Sequence, residues 1–77
     1  MFAHAMTIQA TRDSANALKR AQAWGRACRY ADQDIMAARR RGDKVAEARH
    51  LSEYQRAFRM QQYHAARYET LRSTLGN

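Results

Sequence analysis

The chain has 77 residues, no proline and one cysteine, and its 14 basic residues outnumber 7 acidic ones to give a formal charge of +7. A chain this short forms one domain with little room for a core, and a lone Cys28 excludes an intramolecular disulfide as its staple. The charge alone does not choose among nucleic acid, an anionic membrane and an acidic protein surface.

The opening Met1-Phe2-Ala3-His4-Ala5-Met6 shows neither the cationic nor the apolar region of a signal peptide, and no apolar run reaches membrane-spanning length. With a single thiol and no export signal, the expected compartment is a reducing cytoplasm, and no membrane partner is expected. Many Ala, Arg and Gln residues and the lack of proline favour continuous helix. The first helix is predicted over about residues 11–41, with a start as early as Thr7. Its apolar stripe runs through Leu18, Ala21, Gly25, Cys28 and Ile35 at three- and four-residue steps, with Asp32 in the series. Ala17, Trp24, Ala31 and Ala38 widen it on one side. Most of these side chains are small, and Gly25 is read as a point of close helix approach that offsets its poor helix propensity.

Gly42 and Asp43 interrupt the pattern, and a turn is predicted there. Glycine suits the left-handed position just past a helix, and aspartate caps the next one, so the junction reads as a tight αα-hairpin. Arg41-Gly42-Asp43 also spells a cell-adhesion tripeptide, but each residue has a sufficient role in a helix end, a turn and a cap.

The second helix is predicted over about residues 44–74, with an apolar stripe of Ala48, Leu51, Tyr54, Phe58, Gln61, Ala65, Tyr68, Leu71 and Leu75. Folding the chain at the turn pairs Ala38 with Ala48, Ile35 with Leu51, Cys28 with Phe58, Ala21 with Ala65, and Leu18 with Tyr68. All five pairs have the same sum of residue numbers, as an antiparallel register requires. Asp32 would meet Tyr54, and a carboxylate–phenol hydrogen bond is expected there, because an unpaired buried charge is costly. The fold class is therefore all-α, an antiparallel two-helix hairpin. Two helices do not close a core, and Tyr30, Met36, Val45, Met60 and Tyr63 lie outside the main seam. Homodimerisation into a four-helix arrangement is expected to cover such residues.

Little in the chain suggests catalysis. Glu47-Ala48-Arg49-His50 matches the spacing of Glu-x-x-His metal ligands, but no second copy or further inward carboxylates accompany it, and neither His4 nor His64 recurs at ligand spacing. No metal or other cofactor is expected. Cys28 is expected to be a buried small hydrophobe, and Ser14, Ser52 and Ser73 belong to no acid–base arrangement. The chain is read as a non-enzyme.

The arginines point to binding. Arg49, Arg56, Arg59, Met60, Tyr63 and Arg67 share an outer face of the second helix, where guanidinium groups surround a ring and a thioether. Arg12, Lys19, Arg26 and Arg29 form a stripe on the first helix, and Arg39-Arg40-Arg41 crowd the tip. Arg and Tyr anchor protein interfaces, and a basic face speeds encounter with an acidic partner. The same groups would pair phosphates and stack on bases, so nucleic-acid binding is the alternative, followed by a structural assembly subunit.

In size, helicity and lack of catalytic groups, the chain resembles the small helical proteins that phages encode to bind and disable a host protein, such as quorum-sensing anti-activators or anti-CRISPR proteins. The resemblance rests on overall character and no particular motif. It implies a protein-binding inhibitor or regulator, with a host transcription regulator as one target.

Overall fold

The computed structural model describes the backbone of residues 2–76 and the side chains of residues 8–75. His4 and the rest of the opening hexapeptide's side chains lie outside the described residues. Two helices, α1 (Phe2–Arg41) and α2 (Lys44–Gly76), run antiparallel and pack against each other in a rod of 61 × 14 × 13 Å. The protein is an all-α hairpin. The first helix begins well before residue 11, because nothing in the alanine-rich opening segment breaks it.

The turn is built from two local devices. Gly42 adopts a φ of 71°, a backbone conformation that side-chain-bearing residues disfavour. Its N–H donates to Arg39 O at 3.0 Å, and the Asp43 N–H donates to Ala38 O at 2.9 Å, the pair of bonds that closes a Schellman motif. Asp43 then caps α2, its Oδ1 accepting from the Ala46 N–H at 3.0 Å while its carbonyl accepts the first helical bond from Glu47. Arg39, Arg40 and Arg41 end α1 and Glu47 opens α2, so both helix dipoles meet complementary charge. The Arg39 guanidinium also donates to the Glu47 carboxylate across the turn.

The seam of α1 is a strict three-and-four repeat of Ser14, Ala17, Ala21, Trp24, Cys28, Ala31, Ile35 and Ala38, with Trp24 half-buried and the others buried. Gly25 is buried beside it. The Gln61 side chain lies so close that an added Cβ at Gly25 would stand 2.8 Å from its Nε2. Gln61 Oε1 also lies 4.0 Å from Cys28 Sγ. Gly25 therefore admits a neighbouring side chain, in keeping with close approach.

On α2 the buried row is Ala46, Ala57 and His64, flanked by half-buried Glu47, His50, Tyr54, Met60, Gln61, Tyr68 and Leu71. This corrects the predicted face. Tyr54, Gln61, Tyr68 and Leu71 line the seam as expected, but Ala48, Leu51, Phe58, Ala65 and Leu75 are exposed, as is Leu18 on α1. The true stripe is the adjacent row, one residue back along α2. The reason is steric. The buried centre of the interface is built mostly of alanine, and the close approach this allows leaves larger groups such as Trp24, Tyr54, Tyr68 and Leu71 half-buried at its edges and Leu51 and Phe58 outside it. The antiparallel register survives: Arg39–Glu47 and Gly25–Gln61 have the same residue-number sum as the predicted pairs. Asp32 is exposed instead of buried, and among the described residues no hydrogen bond joins it to Tyr54; both line a shallow groove with Cys28 and Arg29.

Candidate binding flanks of the hairpin

Displacing the large apolar groups from the seam gives the rod two unlike flanks. One carries Leu18 from α1 and Leu51, Tyr54, Phe58 and Ala65 from α2. The Tyr54 and Phe58 rings stack at 6.3 Å with 13° between their planes, and Phe58 remains 44% exposed. One turn along the same α2 face, Leu51 is 45% exposed, so the stripe of large apolar groups continues.

The opposite flank is polar, and it holds the residues singled out for partner binding. Arg49, Arg56, Arg59, Tyr63 and Arg67 are exposed, and Met60 is half-buried against the seam. Among the described residues, ion pairs join Arg39 to Glu47, Arg72 to Glu69, and His50 to Glu53 and Asp34, so none reaches Arg49, Arg56, Arg59 or Arg67. Glu53, one helical turn from both Arg49 and Arg56, turns instead to His50.

Two grooves open on this flank where α1 and α2 meet. The first, of about 340 Å³, is lined by Trp24, Tyr30, Asp34, Glu53 and Arg56 with small alanine walls. The Arg56 guanidinium lies 5.9 Å from the centre of the Trp24 ring, a cation–π contact that fixes the arginine at the groove's rim. The second, of about 110 Å³, lies farther from the turn between Asp13, Asn16 and Arg20 on α1 and His64 and Arg67 on α2. His64 is buried with its Nδ1 unpaired, and the Tyr63 ring meets the imidazole edge-on at 5.1 Å. The six patch residues thus share a flank with Trp24, Tyr30 and Arg20 from the other helix. Reading each helix separately missed those three, although a constant residue-number sum places Tyr30 near Arg56 and Arg20 near Arg67.

The Glu47/His50 pair does not converge. Glu47 is held by Arg39, whereas His50 Nδ1 lies 3.0 Å from Glu53 Oε2 and 3.8 Å from Asp34 Oδ2. The effective spacing is His-x-x-Glu, one helical turn in the other direction, completed from α1.

Comparison with protein-family models, curated proteins and solved structures finds no match to this chain. No helix among the described residues is long and apolar enough to cross a membrane.

Proposed function

We propose that this protein is a non-enzymatic binding module that engages an acidic surface on another protein and thereby inhibits or regulates it. Arg49, Arg56, Arg59, Met60, Tyr63 and Arg67 form the contact patch. A host transcription regulator in the cytoplasm is the target class that the overall resemblance to phage inhibitors suggests. The observation carrying this reading is that four arginines stand without acidic partners on one flank, interleaved with Tyr63 and Met60. Unneutralised charge of this kind costs stability through repulsion and is recovered when a complementary surface arrives.

The opposite flank supports self-association. The buried hydrophobic groups include nothing larger than Ile35, while Leu51 and Phe58 remain exposed. Pairing the apolar flanks of two copies would create a four-helix core of larger side chains and leave both basic flanks outward.

The test is affinity capture from nuclease-treated lysate with the wild-type chain and with Arg56→Glu/Arg59→Glu. The wild type is expected to retain a specific protein that the variant loses, with the helical circular dichroism of the two unchanged. Equal capture by both would remove the patch from consideration. Capture that vanishes with nuclease, together with binding that weakens steeply as salt rises, would replace the protein partner with nucleic acid.

A further inference from the structure

We propose that Asp34, His50 and Glu53 form a divalent transition-metal site, of the class that takes Zn²⁺, bridging the two helices near the hairpin tip. One ligand atom from each residue lies within 4.8 Å of the others. Two features go beyond a cluster of surface acids. The imidazole is a nitrogen donor suited to zinc, held in the seam with its side chain 17% exposed. Both carboxylates also aim at the same ring atom: Glu53 Oε2 stands 3.0 Å and Asp34 Oδ2 3.8 Å from His50 Nδ1.

Those separations are near the ones a metal needs. Two donors each bound about 2.0–2.1 Å from a tetrahedral zinc stand roughly 3.3 Å apart, so the observed pairs bracket the required spacing. Binding would draw the Asp34 carboxylate inward, since it stands beyond that spacing. Asp34 and Glu53 also line the groove beside Trp24 and Tyr30, which leaves room for water or a partner's side chain at the fourth position. His50 and Glu53 come from adjacent turns of α2 and Asp34 from α1, so the ion would cross-link the helices as a staple does. The competing description is an imidazole that merely hydrogen-bonds to the carboxylates, which predicts no response to metal.

The experiment is thermal unfolding of the full chain with and without ZnCl₂ at neutral pH, with stoichiometry from calorimetric titration. One zinc per chain and a rise in Tm of roughly 10–20 °C at a hundredfold excess over Kd are expected. Asp34→Asn/Glu53→Gln and His50→Gln should fold with unchanged helical spectra and lose the shift, whereas Cys28→Ser and His64→Gln should keep it. MgCl₂ should produce no shift, because Mg²⁺ favours all-oxygen sites and holds its water. A wild-type chain indifferent to zinc would overturn the site. So would a shift that survives in the Asp34/Glu53 variant or disappears in the Cys28 or His64 variants.

Discussion

The two flanks of this hairpin are cut from the same pair of helices yet are chemically opposite. One presents leucines and stacked rings around Leu51, Tyr54 and Phe58, and the other presents arginines, aromatic groove walls and the His50 cluster. The difference comes from the seam between them. Because the helices meet mostly through alanine, with Cys28 and Gly25, large apolar groups such as Leu18, Leu51 and Phe58 lie beside the seam and stay exposed. A close-packed seam therefore acts as a sorting line, with large apolar groups gathered on one side and unpaired arginines on the other.

Charging the apolar flank should have the largest effect on the molecule. Leu51→Glu/Phe58→Glu should convert the proposed dimer to monomer, raising its Kd by roughly 1000-fold or more, because two anchors of about 2 kcal/mol each are lost from both protomers, not fully additively. Sedimentation or light scattering reads this directly, and a monomeric wild type at micromolar concentration would end the self-association proposal.

A sharper contrast comes from two alanines on α2. Ala57 is 3% exposed and Ala65 is exposed, although the sequence pattern counted Ala65 as core and passed over Ala57. Ala57→Leu should cost about 1–3 kcal/mol by overpacking the seam, which lowers Tm by roughly 4–20 °C, whereas Ala65→Leu should leave it unchanged or raise it. If both are tolerated equally, the seam is looser than described.

These two alanines also mark the limit of what the sequence discloses. The turn was fully legible, because glycine at a left-handed position and aspartate at a cap act through their own backbone neighbours. Both helices were legible for the same local reason, and the stripe of α1 was nearly so, with Leu18 and Asp32 as its errors. The face of α2 was not. Hydrophobic periodicity weighs Leu51 and Phe58 above Ala57, and it gives no weight to His50 or His64, yet helices that approach closely need small or flat groups between them. The basic flank was legible only on α2: the residue-number sum would have added Tyr30 and Arg20 from α1, but the contact of Trp24 with Arg56 departs from that sum and depends on how the helices pack.

Smaller effects test the local supports. Gly42→Ala should cost about 1 kcal/mol by forcing a side chain into the left-handed region, and Asp43→Ala about 1 kcal/mol by removing the α2 cap. Denaturant midpoints measure both, and a neutral Gly42→Ala would mean the turn relaxes to another geometry. Smallest of all, Arg56→Ala should lose about 0.5–1 kcal/mol through the exposed cation–π contact with Trp24, visible as a change in tryptophan fluorescence, while Arg59→Ala changes neither quantity.

The Gly42–Asp43 turn also sets an order of events in time. Its bonds join residues only a few positions apart, so they form with the least loop-closure entropy, and each further pair along the seam closes a slightly longer loop on a foundation already laid. Folding is expected to zip from the tip toward the open ends. Asp43→Ala should then slow the folding rate, and a seam change near Ala17 should mainly hasten unfolding. The end where Ala17 faces His64 and Arg67 would be the last to close and the first to open, which leaves the basic flank most adaptable where it lies farthest from the turn.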